Sequence, residues 1–134
     1  MVRVNYSATT RAIVVTVTPQ YLPDQSEPAK SQYMWAYQVR IENRGDIAVQ
    51  LRSRHWKITD GLGRQQEVRG PGVVGKTPVL RPGEVFEYTS GTPLSTPSGF
   101  MGGTYQMVNE SGEAFDIEIP TFSLDTPSSQ RRLN

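Results

Sequence analysis

Tyr33-Met34-Trp35-Ala36-Tyr37-Gln38-Val39-Arg40-Ile41-Glu42-Asn43 is the stretch on which the fold turns. Tyr33, Trp35, Tyr37, Val39 and Ile41 share one face of an extended chain, and Met34, Ala36, Gln38, Arg40 and Glu42 share the other. Strand side chains alternate with period two, so this pattern predicts a central strand with one face in a core. Asn43-Arg44-Gly45-Asp46 then supplies a turn, and Ile47, Val49 and Leu51 open the next strand in phase. Trp56 and Ile58 carry the apolar pattern on with the opposite parity. One extra residue in a strand switches phase in this way, which places a β-bulge between Arg52 and His55.

Upstream, Ile13, Val15 and Val17 alternate with Val14, Thr16 and Thr18 in a strand expected to close at Pro19. Tyr21–Lys30, with Pro23 and Pro28, reads as an exposed loop. Downstream, Asp60-Gly61-Leu62-Gly63 turns the chain, residues 69–79 read as a glycine-rich loop, and Leu80–Glu84 turns into a strand at Val85–Tyr88. Phe100–Val108 and the alternating Phe115, Ile117 and Ile119 form a hairpin about the turn Asn109–Gly112, and Thr121–Leu124 continues extended. No helical period and no internal repeat appear. The chain has 134 residues, the size of one domain. The expected architecture is all-β, an immunoglobulin- or fibronectin type III-like antiparallel sandwich of seven or so strands over residues 1–126. Trp35, Val39, Ile41, Phe86, Tyr105 and Ile117 are its expected core, and Pro127–Asn134 reads as a frayed polar tail.

The chain has no cysteine, which removes disulfides, thiolate metal sites and cysteine nucleophiles. The N-terminal residues lack the apolar run of a signal peptide, and no stretch reaches membrane-spanning length, so a soluble cytoplasmic protein is expected. Net charge is +1, which argues against a dedicated nucleic-acid binder. The charge is unevenly placed. Residues 1–81 hold twelve Lys/Arg against six Asp/Glu, whereas residues 82–130 hold seven acids and no base. This asymmetry signals either a polar partner surface or cross-sheet pairing, with Arg52 and Arg54 expected beside acids of residues 110–118. The single histidine, His55, leaves no triad or transition-metal site to build. Asp116 and Glu118 share a strand face, as a catalytic carboxylate pair does, but that face also reads as the solvent side of Phe115, Ile117 and Ile119. An enzyme is not expected, and no cofactor is implied.

Gly70-Pro71-Gly72-Val73-Val74-Gly75-Lys76-Thr77 satisfies two nucleotide patterns at once, G-x-G-x-x-G and G-x-x-x-x-G-K-[ST]. Both work by bringing backbone N–H groups to phosphate at a helix start, between a buried strand and a helix. Here the preceding Arg64–Arg69 is too polar for a buried parallel strand, and Pro78 and Pro82 exclude a useful helix after it. The loop is therefore expected to connect strands. Arg69, Gly70, Gly72, Gly75 and Lys76 remain a candidate site for weak anion binding. Gly99-Phe100-Met101-Gly102-Gly103 sets two large apolar residues among glycines. Phe100 and Met101 are thus a candidate partner-contact tip, or else a plug for one end of the core.

Residues in order along the chain also resemble the ApaG family. They are Arg54-His55-Trp56, Ile58, Asp60, Gly63, Val68, Gly70–Gly75, Pro78, Leu80, Pro82-Gly83-Glu84, Phe86, Tyr88–Gly91, Leu94, Gly99, Met101, Gly103-Thr104-Tyr105, Phe115, Ile119-Pro120 and Phe122-Ser123-Leu124. Upstream, Tyr37, Val39 and Ile41-Glu42-Asn43 fit as well, so the likeness covers nearly all of residues 5–126. The resemblance implies a fibronectin type III-like sandwich with no established catalytic activity. It also implies an association with cobalt resistance and magnesium efflux, and a gene often beside a diadenosine tetraphosphate hydrolase. Eukaryotic relatives carry the domain in F-box proteins and a polymerase-interacting protein, which implies a module for binding a protein partner. The alternative is a module for a phosphate- or pyrophosphate-bearing small molecule at the glycine loop.

Overall fold

The computed structural model describes residues 4–127, so most of the expected polar tail lies outside the described residues. Among the described residues there are nine strands: β1 (Tyr6–Thr10), β2 (Ile13–Tyr21), β3 (Tyr33–Asn43), β4 (Val49–Asp60), β5 (Gln65–Pro71), β6 (Val79–Leu80), β7 (Val85–Leu94), β8 (Ser98–Asn109) and β9 (Ala114–Asp125). All pairings are antiparallel. One sheet runs β1-β2-β3-β7 and the other β5-β4-β8-β9, with β6 beside the start of β4. The chain crosses from one sheet to the other between β3 and β4, between β6 and β7, and between β7 and β8. This is the fibronectin type III-like sandwich expected from the strand pattern. No described helix is long and apolar enough to cross a membrane.

The alternation in β3 does what its sequence demands. Trp35, Tyr37, Val39 and Ile41 are buried while Gln38 is exposed. Trp35, Val39, Ile41, Tyr105 and Ile117 are all core residues, and Phe86 is half-buried against them. Trp56 is the hub of the aromatic packing. Its ring lies 5.3 Å from Tyr37, 6.1 Å from Phe122 and 6.3 Å from Tyr105. Such tilted and edge-on contacts suit the aromatic quadrupole. The turn after β3 is organised by buried Asn43, whose Nδ2 donates to the Ile47 and Leu80 carbonyls while its Oδ1 accepts from the Gly45 N–H.

Two bulges set which residues face inward. The register of β4 on β8 slips between Leu51 and Ser53, so Arg52 is the extra residue, at the upstream end of the interval expected from sequence. Val49 and Leu51 are buried before it and Trp56 after it. A second slip opposite Met101–Gly103 moves β9 from Ile117 and Ile119 to Phe122 and Leu124, with Pro120 at the irregularity. A proline is tolerated there because a bulge leaves a backbone N–H unpaired anyway.

Three expectations need adjustment. Pro19 does not end β2, which continues to Tyr21; β1 pairs only as far as Val17, so proline's missing N–H falls where β2 has no outer partner. Arg69, Gly70 and Pro71 belong to β5 rather than to a loop, because β5 pairs with β4 as far as Ser53 opposite Pro71. Strand β1 was not read at all, since Tyr6–Thr10 has little apolar alternation and acquires its register from β2.

Candidate functional site

Residues 72–78 link β5 to β6, and no helix begins at Gly75 or Lys76. Val73 and Lys76 exchange both backbone hydrogen bonds at 2.8 Å, closing a two-residue hairpin over Val74 and Gly75. Both central residues are left-handed, with φ 43° and 78°, as a type I′ turn requires. Gly72 is also left-handed, at φ 60°, and a Cβ there would run into the carbonyl of Lys76. The N–H groups of Gly72, Val73 and Lys76 already donate to Arg52, Lys76 and Val73. The loop therefore has no aligned row of free donors of the kind a phosphate cradle uses.

The remaining glycine of the pattern answers to Arg54. Gly70 pairs with Arg54 across β5 and β4, and Tyr105 pairs with Arg54 on the β8 side. After the bulge Arg54 shares the inward face with Trp56. Its guanidinium lies over Gly70, where a Cβ would come within 2.9–3.1 Å of Nη2, Nη1 and Cζ. Nη1 donates to the carbonyls of Pro71 at 2.9 Å and Gly72 at 2.8 Å. The expected pairing of Arg52 and Arg54 with acids of residues 110–118 is therefore not formed: Arg52 bonds Gln50, and Arg54 is turned inward to loop carbonyls. The basic and acidic halves meet elsewhere, at Arg11–Glu113, 3.1 Å apart and exposed.

The phenols of Tyr88 and Tyr105, the latter paired with Arg54 across β8 and β4, are hydrogen-bonded to each other. Burial pushes these phenols and that of Tyr37 above the usual tyrosine range, while the positive charge of Arg54 pulls the other way. Arg69 and Lys76, the other cations of the candidate anion loop, are exposed. Arg69 leans toward Glu67 at 3.9 Å. The sequence pattern thus collects Gly70, Gly72 and Gly75 around one backbone problem, but sets Arg69 and Lys76 apart from the inward-facing Arg54.

The second candidate region is the outer face of the second sheet. Gly102 and Gly103 of β8 leave a shallow trough of about 660 Å³ between β4–β5 and β9. Gly103 must be glycine, because a Cβ would strike the carbonyl of His55 on the neighbouring strand. His55 and Lys57 wall one side, Asp116, Glu118 and Thr121 the other, and Phe100 one end. His55 Nε2 lies 2.7 Å from Glu67, a contact that holds the Glu67 carboxyl below the usual range. Among the described residues no ion pair includes Lys57, Asp116 or Glu118. The contact-tip expectation is split: Phe100 is 48% exposed, but Met101 is 1% exposed and plugs the core. Alternation on β8 dictates that split, since neighbouring residues cannot both face outward. The structure brings Phe100 and the Asp116–Glu118 face into one region, which sequence reading had treated apart, and adds Lys57.

Residues 23–109 match the family model for the ApaG domain. The chain is 65% identical over 129 residues to Protein ApaG of Rhodospirillum centenum, covering 96% of this chain and 99% of that protein. The chain belongs to the ApaG family. A second ApaG relative, from Paramagnetospirillum magneticum, is 64% identical over the same span. The crystal structure of a putative ApaA protein from Bordetella pertussis superposes with a TM-score of 0.84 at 56% identity, covering 86% of this chain and 94% of that one. The ApaG resemblance read from ordered residues is thereby shown over nearly the whole chain, and the fold with it.

Proposed function

We propose that this ApaG chain is a non-catalytic module that binds a protein partner through the outer face of its second sheet. The observation that carries the reading is the trough over Gly102 and Gly103, with the half-exposed Phe100 ring at its end. Residues from β1, β4, β5, β8 and β9 line it, so it is a broad surface rather than an enclosed pocket. An exposed aromatic ringed by polar groups is the composition of an interface anchor and its rim. Lys57 on one wall and Asp116 and Glu118 on the other offer charges to a partner at no cost to existing ion pairs. Three His, Cys, Asp or Glu side chains that together could hold a metal do not occur among the described residues. In this reading the family's link to cobalt and magnesium acts through the partner.

A photo-reactive side chain placed at position 100 tests the surface, with position 47 as control because Ile47 is 45% exposed. The proposal expects one protein to cross-link from position 100 alone. That protein, purified, should bind the Phe100→Ala variant at least tenfold more weakly, about 1.4 kcal/mol. Equal cross-linking from both positions, or unchanged affinity of the variant, refutes it.

The alternative, phosphate on the outside of the glycine loop at Arg69 and Lys76, has less support. Three of the loop's N–H groups are already engaged within the chain.

A further inference from the structure

Arg54 is a half-buried guanidinium, and none of the ion pairs among the described residues includes it. An arginine stays charged at any ordinary pH, so a partly desolvated one needs acceptors or an anion. Its Nη1 takes two loop carbonyls, and among the described residues no hydrogen bond occupies Nε or Nη2. Among the described residues no buried side-chain nitrogen or oxygen lacks a partner, so this unused edge is not sealed from water. The Nε–Nη2 edge is the one that makes two parallel N–H···O bonds to a carboxylate or phosphate.

The surroundings favour an anion. Arg54 sits in the inward-facing row Gly70–Arg54–Tyr105, at the side of the sandwich where β5 and β7 are the edge strands. Tyr105 is its cross-strand neighbour on β8, and the Tyr105 hydroxyl is bonded to that of Tyr88. The nearby acids are committed elsewhere: Glu67 is bonded to His55, and Glu87 faces outward on exposed β7. Gly70 holds the guanidinium flat, and the Pro71 and Gly72 carbonyls fix its rotation, so the edge is pre-oriented.

We infer that the Nε–Nη2 edge of Arg54 is a binding site for one small oxyanion, a phosphate group or a carboxylate, at the seam between the β5 and β7 edges of the two sheets. The site lies inside the glycine loop rather than on its outer rim. It is independent of the trough and of the protein-partner reading.

The test is a nuclear magnetic resonance titration of the arginine Nε–Hε signals in the unmodified chain. Inorganic phosphate, pyrophosphate and acetate are each added to about 20 mM, well above the dissociation constant of about 1 mM expected of such a site, at ionic strength held constant with chloride. The expected result is a saturable shift of the Arg54 signal with at least one probe. The amides of Gly70 and Gly72 should follow it, while the Arg69 signal stays put. Response to phosphate and pyrophosphate alone assigns a phosphate group; response to acetate as well assigns a carboxylate. Arg54→Lys keeps the charge but loses the two-pronged edge, and should weaken binding at least tenfold. Lys76→Ala should leave it within about twofold. Should the lysine variant fail to fold, the titration of the unmodified chain decides alone. A linear drift shared by all arginines, or binding lost in Lys76→Ala and kept in Arg54→Lys, overturns the inference.

Discussion

The hydroxyl pair of Tyr88 and Tyr105 makes a quantitative demand on stability. Tyr105 is fully buried and Tyr88 is 9% exposed, and their hydroxyls are each other's hydrogen-bond partner. A net hydrogen bond contributes about 1 kcal/mol, but a buried hydroxyl left alone costs a further 1–3 kcal/mol or so. Tyr88→Phe strands the fully buried Tyr105 hydroxyl and should therefore destabilise by about 2–3 kcal/mol. Tyr105→Phe should cost about 1–2 kcal/mol, since the Tyr88 phenol it leaves unpaired is slightly exposed and can still find water. With both hydroxyls gone nothing is stranded, so the double variant should lose no more than about 1 kcal/mol. The coupling is then about 2–4 kcal/mol, readable from urea unfolding followed by tryptophan fluorescence, with the denaturant slope unchanged. Trp56, 6.3 Å from Tyr105, reports the site directly. The pair also carries an alkaline signature. Folding raises both ionisations, so this stability is complete below the unfolded tyrosine value of about 10 and is lost as pH rises toward the folded values. The double variant should lose that dependence. Strictly additive single costs would refute the reasoning, because they would mean that each hydroxyl has an independent partner.

Val74 is a β-branched residue held at φ 43° in the hairpin turn, where asparagine is far better tolerated. Val74→Asn should stabilise by about 0.5–1 kcal/mol and raise Tm by roughly 2–4 °C; an unchanged or lower Tm in calorimetry would count against the strain. The Glu67 carboxyl is held down first by its hydrogen bond to His55 and then by the charges of His55, Arg69 and Lys57. Its contribution to folding is thus complete above the ordinary glutamate midpoint of about 4.3 and lost as pH falls through the depressed value. In His55→Ala the carboxyl titration, followed by carbon resonance, should move up toward that ordinary midpoint; no movement would remove His55 as the cause.

Much of the fold was legible because β-sheet periodicity is read one residue at a time. The alternation in Tyr33–Asn43 and in Phe115–Ile119 needed no knowledge of neighbours, and the parity change from Leu51 to Trp56 announced a bulge. What that change did not announce was its position. With the extra residue at Arg52, Arg54 falls on the same inward face as Trp56. A bulge two residues later would have turned Arg54 to solvent, where pairing with distant acids is the natural expectation. The site's most consequential side chain was therefore hidden by an uncertainty of two residues in register. Phe100 and Met101 show the same limit. Composition marks both as large and apolar, and only the pairing of β8 decides that Met101 enters the core while Phe100 remains outside.

The glycine pattern shows why a spacing can recur without its chemistry. In a phosphate loop, glycines let N–H groups converge on an anion at a helix start. Here Gly70 clears room for a guanidinium, Gly72 turns left-handed beneath the Lys76 carbonyl, and Gly75 completes a type I′ turn. The same intervals satisfy three demands of an edge strand turning back on itself, and the N–H groups that would have met a phosphate are spent in closing that turn. Any anion recognised at this end of the sandwich must then be met by side chains rather than by backbone. The one cation whose orientation the glycines fix is Arg54, so the motif and the proposed oxyanion site are connected through the space the glycines leave, not through the donors they usually expose.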